Sequence, residues 1–199
     1  DKQTSDVNVK GSQIAAGQKF TVIADHAVNL QAAANSQTQQ SKNSNSSASI
    51  GVVLDSNGSV GVNVSASGGR GNADGSDVTW TNTQVTAGQQ ATLQSGADTT
   101  LQGATVTAPQ VSVTTGGQLT IESRQDSSTY KANQKQIGGS VTMGPVSSGN
   151  VNYAQSDIDS TYTSVTEQSG IRAGDGGFNV SVTGDTTFKG GAITSTQAA

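Results

Sequence analysis

Cysteine is absent from this chain of 199 residues. Disulfides and thiolate metal sites are therefore excluded, and stability outside a cell has to come from the fold alone. Histidine occurs once, at His26, so no catalytic arrangement can be built around a second imidazole. Aromatic residues make up 4% and hydrophobic residues 31% of the chain, which argues against a thick globular core. Charge is scarce too, at 12% with a net −4. That is too little for a charge-swollen disordered chain. No basic cluster stands out, which argues against a nucleic-acid-reading surface. No apolar run approaches the roughly 20 residues of a membrane helix. Proline occurs only twice, as long uninterrupted strand ladders require. The pattern is already under way at residue 1, without a charged and apolar leader, so the chain reads as an internal piece of something longer.

What fills the sequence is Ser, Thr, Gln, Asn, Ala and 25 Gly. Such a mixture either remains unfolded or builds a narrow structure whose small core repeats along an axis, and the scarcity of proline favours the second. One phrase recurs: Ile14-Ala15-Ala16-Gly17-Gln18, Val85-Thr86-Ala87-Gly88-Gln89, Val106-Thr107-Ala108-Pro109-Gln110 and Ile171-Arg172-Ala173-Gly174-Asp175, with a fifth copy starting at Ile193. Each has a β-branched residue, a small residue, a turn-former and a polar residue, which predicts a strand and then a turn. The phrases are followed by Phe20-Thr21-Val22, Ala91-Thr92-Leu93, Val111-Ser112-Val113 and Phe178-Asn179-Val180. Next come Val28-Asn29-Leu30, Thr99-Thr100-Leu101, Leu119-Thr120-Ile121 and Thr186-Thr187-Phe188. Alternation with a period of two, punctuated by Gly and Asp, marks short half-buried strands. Val9-Lys10-Gly11, Leu101-Gln102-Gly103 and Phe188-Lys189-Gly190 add a longer period, because coils of about 21 residues alternate with much longer ones.

No such coil buries its thin apolar face alone, but stacked coils do, each strand bonding to the coil above and below. The expected architecture is all-β: a right-handed parallel β-helix across residues 1–199, with β-hairpin insertions at about 31–84 and 122–170. A β-sandwich is the alternative, though it has no need of the same phrase at a 21-residue offset.

The two insertions resemble each other. The first holds Ile50–Leu54, a turn at Asp55-Ser56-Asn57-Gly58, and Val60–Val64; the second holds Ile137–Met143, a turn near Ser147-Ser148-Gly149, and Val151–Tyr153. Both read as hairpins, with the polar runs Gln37–Ser47 and Ser123–Lys135 as outgoing arms. A hairpin is two strands wide, about 10 Å, and two coils rise by about as much. The hairpins are therefore expected to join into one auxiliary sheet.

No catalytic site, metal site or cofactor is expected. His26 lies in a turn and reads as solvated. The stretch Gly69–Asp77 has the glycine–aspartate flavour of calcium loops, but such loops bind by repetition and this one stands alone. Asp157 and Asp159 share one strand face, at an exposed edge unsuited to shifting a pKa. The Gln37–Ser47 run reads as polar edge protection with some mobility. Trp80 and Tyr162 hold equivalent positions and suit a structural stack better than sugar platforms. One face of Ile50–Leu54 and Val60–Val64 is weakly apolar. The expected interaction surface is Val52, Leu54, Val62, Val64, Trp80 and Tyr162.

Gly71-Asn72-Ala73-Asp74-Gly75, Val85-Thr86-Ala87-Gly88 and Asp98-Thr99-Thr100-Leu101-Gln102-Gly103-Ala104 together resemble the filamentous haemagglutinin repeat of two-partner secretion exoproteins. With its hairpin insertions the chain is similar to the second such repeat region of contact-dependent growth inhibition effectors. The resemblance covers nearly the whole chain. It thins in the second insertion, where Gln155-Ser156-Asp157-Ile158-Asp159 replaces the glycine–aspartate phrase. It implies export through a partner β-barrel, a secreted or surface location on a Gram-negative cell, and no enzymatic activity. It also implies a role at the target cell's outer membrane or a surface receptor during toxin delivery, with neither nucleic acid nor small-molecule substrate as partner. A filamentous adhesin stalk is the alternative, and a polysaccharide-degrading β-helix enzyme a third.

Overall fold

The computed structural model describes residues 5–54, 56–145 and 147–198. Its strands fall into two compact units, one made of Asp1–Ser36, Val78–Ser127 and Thr163–Ala199, the other of Gln37–Asp77 and Ser128–Tyr162.

The first unit is a stack of coils with three parallel sheets. One sheet holds Val7–Lys10, Val28–Gln31, Thr99–Gln102, Leu119–Glu122 and Thr186–Lys189 in that order. The second holds Gln13–Ala16, Thr83–Ala87, Ala104–Ala108, Gly170–Ala173 and Ala192–Thr194. The third holds Lys19–Ala24, Gln90–Ser95, Gln110–Thr115 and Phe178–Val182. The recurring phrase lies atop itself: Ile14 pairs with Val85, Val85 with Val106, Val106 with Ile171, and Ile171 with Ile193. This is the parallel β-helix that the repeat predicts.

Like side chains stack because coil sits on coil in register. Leu30, Leu101 and Ile121 are neighbours along one ladder, and Val22, Leu93 and Val113 along another. Leu30, Leu93, Leu101, Ile121 and Val113 are all fully buried or nearly so, forming one narrow core with Val85, Val106 and Ile171. Each buried methylene removed from water contributes about 0.8 kcal/mol. Hydroxyls that point inward are paired: Thr115 donates to Thr99 at 2.9 Å, and Thr83 donates to the carbonyl of Gln31 at 2.6 Å.

One corner separates short coils from long ones. After the first-sheet strand, Gly11, Gly103 and Gly190 adopt φ of +55°, +66° and +63°, and the chain turns at once into the second sheet. Only glycine enters this left-handed region without strain. After the same strand on the intervening coils stand Ala32 and Ser123, and there the chain leaves as a hairpin. The longer period seen in the sequence is thus an alternation of glycine and non-glycine corners.

The long strands are Ala33–Leu54, Val60–Thr81, Asp126–Met143 and Ser148–Ser164. They make one four-stranded sheet in which the return strand of the first hairpin pairs with the outgoing strand of the second. The two hairpins share a ladder, as their matched sequences predict. Gln37–Ser47 is continuous strand at the edge of this sheet rather than a loop. In the first turn Gly58 takes φ of +77°, while Asp55 lies outside the described residues. The second turn falls earlier than expected, with bends at Gly144 and Pro145 and the return strand already under way at Ser148.

Candidate functional site

The hairpin sheet has two chemically different faces, and side-chain hydrogen bonds identify one of them. Ser47 meets Ser67 and Ser49 meets Ser65 at 2.7 Å, Asn63 donates to Thr142 at 2.8 Å, and Ser140 donates to Asn150. These groups sit opposite one another across all four strands and define a polar face. Asn43 and Asn45 add to it by laying their amides over Gly71 and Gly69, where a Cβ would collide with them.

Side chains alternate across a strand, so the residues between these belong to the other face. There the register sets Ile50 against Val64, Val52 against Val62 and Leu54 against Val60. It places Val64 beside Val141 and Val62 beside Met143, then Ile137 beside Tyr153. All are solvent-exposed, Ile50 at 79%, Val52 at 71% and Leu54 at 72%. An apolar surface spanning four strands and left open to solvent is the least ordinary feature of the molecule. Gly68 interrupts it, leaving a shallow depression between Ile137 and Ser46 that is rimmed by Arg70 and Lys135.

Four of the six residues expected at an interaction surface, Val52, Leu54, Val62 and Val64, stand together on this face. Tyr162 is exposed, and the alternation puts it on the polar side. Trp80 belongs to the first unit and is held on several sides. Its backbone N–H donates to Asp126 at 2.7 Å, its indole N–H donates to the carbonyl of Gln125 at 3.0 Å, and the Arg124 guanidinium lies 4.6 Å from the ring centre. Asp126 also accepts from the Thr166 hydroxyl. A 430 Å³ depression borders Trp80, Arg124, Glu122 and Lys189. Sequence reasoning named Ile137, Val141, Met143, Val151 and Tyr153 as strand residues but not as surface. Only the register between the hairpins assigns them to the same face as Val52.

Residues weighed for chemistry have ordinary surroundings. His26 is half-exposed, and its Nδ1 lies 2.7 Å from Asp6, whose carboxylate also accepts the Ala27 N–H at 3.0 Å. The His26 hydrogen bond, with help from the Ala27 N–H, holds the Asp6 carboxyl below its usual range. Asp159 pairs with Lys131 at 3.4 Å, both well exposed, and Asp157 accepts from Asn133 and Gln155. Gly69–Asp77 is part of a continuous strand, so Asp74 and Asp77 project to opposite faces instead of converging as loop ligands would.

The family model described as Hemagglutinin repeat matches residues 1–139. Toxin CdiA of Escherichia coli is 39% identical over 199 residues, covering 97% of this chain and 6% of that protein. The tRNA nuclease CdiA of Yersinia mollaretii is 36% identical, covering 100% of this chain and 7% of that protein. The 16S rRNA endonuclease CdiA of Enterobacter cloacae is 40% identical, covering 98% and 6% respectively. The chain thus spans only a small part of the length of these relatives. No solved structure matches it.

Proposed function

Since this chain belongs to the hemagglutinin-repeat family, as a repeat region like those of CdiA contact-dependent inhibition toxins, we propose that it is a non-enzymatic contact segment. On this reading it is part of a secreted Gram-negative surface protein and helps a toxin cross the target cell's outer membrane. The coil stack is the rod, and the hairpin sheet is the part that meets the target surface.

The observation that carries this reading is the open apolar face of the hairpin sheet. A single sheet buries an apolar face against something else, and Ile50, Val52, Leu54, Val60 and Met143 are exposed. A lipid surface or an apolar patch on an outer-membrane protein would cover them. A non-catalytic role is supported by the relatives themselves. Their names carry tRNA nuclease, 16S rRNA endonuclease and deoxyribonuclease activities, yet they share this stretch at 36–40% identity. A segment common to different activities is a poor candidate for the seat of any of them.

Val52→Glu with Val62→Glu tests the proposal in the full-length protein. Both side chains are exposed, so the fold, followed by circular dichroism of the 199-residue chain, is expected to persist. Growth inhibition of target cells is expected to fall at least about tenfold, as charges on a lipid-facing strand cost a few kcal/mol. Unchanged inhibition by a folded, exported variant would falsify the contact role. Loss of cell attachment with toxin entry per attached cell unchanged would instead favour an adhesin.

A further inference from the structure

Where the apolar part of the hairpin face ends, the register sets Arg70 directly against Lys135. Like charges directly opposite on neighbouring strands repel. Among the described residues neither cation has an ion-pair partner. The acids on this face nearest them are Asp159, paired with Lys131, Asp157, which accepts from the neutral amides of Asn133 and Gln155, and Asp74, four residues along the strand from Arg70. Immediately towards the hairpin tips is Gly68, whose missing side chain leaves a floor between Ile137 on one side and Ser46 on the other, with Tyr153 beyond Ile137. Two cations without an ion-pair partner therefore stand at one rim of a trough whose apolar wall is Ile137.

From this we infer that the Arg70–Lys135 row and the Gly68 trough form a binding site for an anionic amphiphile. The phosphate of a lipid headgroup sits on the two cations, and its acyl chain lies over Gly68 against Ile137. This rests on the proposed contact role and gives that surface a ligand class. Charge decides between the candidate occupants of the face. A second copy laid face to face with tips aligned would set one cation row against another. A neutral apolar partner would leave both cations uncompensated beside a newly dry surface, where an unpaired charge is costly. A soluble phosphate would satisfy the cations but leave the trough walls wet. Nucleic acid needs many more phosphate contacts than two cations supply. A phosphate-bearing lipid meets every element of the site at once.

Co-sedimentation of the 199-residue chain with phosphatidylcholine vesicles, with and without phosphatidylglycerol, tests the site. The anionic vesicles are expected to bind roughly thirtyfold more tightly, as two cations at about 1 kcal/mol each imply, and the preference is expected to shrink at high salt. Arg70→Gln with Lys135→Gln should abolish the preference while leaving the weaker binding to neutral vesicles. Gly68→Leu, which fills the trough, should weaken binding to anionic vesicles with Arg70 and Lys135 intact. Equal binding to both vesicle types by the unaltered chain, or a preference that survives the double glutamine variant, overturns the inference. Displacement by millimolar inorganic phosphate would also overturn it, in favour of a soluble anion. These outcomes differ from failure of the contact role, which is read from Val52→Glu with Val62→Glu in growth inhibition.

Discussion

Single residues in the coil stack carry unequal weight, and the structure says which. Leu101 is fully buried between Leu30 and Ile121 on its ladder. Leu101→Ala leaves a cavity that neighbouring coils cannot close, so a loss of about 2–5 kcal/mol is expected, read from the urea midpoint. Two glycines make a sharper pair. Gly58 has φ of +77° with open space where a Cβ would stand, whereas Gly103 has φ of +66° and a Cβ there would lie 2.5 Å from that of Ala32. Gly58→Ala should cost about 1 kcal/mol and Gly103→Ala about 3 kcal/mol or more, since the second adds a clash to the backbone strain. Asp6 contributes a pH dependence. Its folded pKa lies below the ordinary carboxylate range because of His26 and the Ala27 N–H. The stabilisation is therefore complete above about pH 4, the unfolded value, and is lost as pH falls through the folded one. Asp6→Asn should flatten the stability profile below pH 4, and an NMR titration of the Asp6 carboxyl should show the depressed value directly.

At the scale of elements, the corner after each first-sheet strand chooses the path of the chain. Gly11, Gly103 and Gly190 turn it into the next sheet, while Ala32 and Ser123 stand where it continues outward as a hairpin. The hairpins owe their two faces to strict alternation over long strands, with Ser, Asn and Thr bonded across one side and Val, Ile and Met gathered on the other. The return strand of the first hairpin is interior to the sheet, so its N–H groups bond on both sides in turn. Val64→Pro removes a ladder donor there and should unfold the hairpin sheet. Far-UV circular dichroism would lose strand signal, while Trp80 fluorescence, which reports on the coil unit, would persist.

For the whole molecule, the two units differ in how they are held. The fully buried apolar residues, among them Leu30, Leu93, Leu101, Val106 and Ile171, belong to the coil unit. No described residue of Gln37–Asp77 or Ser128–Tyr162 is buried to that degree. The hairpin unit is held by backbone ladders and small polar pairs, which resist opening less than a packed core does. Hydrogen exchange should therefore be faster across Gln37–Asp77 than across Thr99–Gln102 or Gln110–Thr115. Protection that rises on binding vesicles, confined to the hairpin strands, would accord with a sheet completed by its partner. Uniform protection across both units before any ligand is added would contradict this ordering of stability.

The coil stack was legible in the sequence because its signal is local and repeated. The phrases at Ile14, Val85, Val106 and Ile171 each specify a strand and a turn, and equal phrases settle into equal positions once coils stack. The hairpins were legible as hairpins for the same reason, apart from the second turn, where Gly144 and Pro145 bend the chain before the serines reach it. The candidate site was only half legible. Alternation along one strand separates Val52 and Leu54 from Val53, but it does not say which face of a distant strand will join them. That depends on the register between Val60–Thr81 and Asp126–Met143, where a slip of one residue would send Met143 and Val141 to the polar side and part Arg70 from Lys135. Repetition written into the chain determined the rod, and pairing between strands far apart in sequence decided the surface.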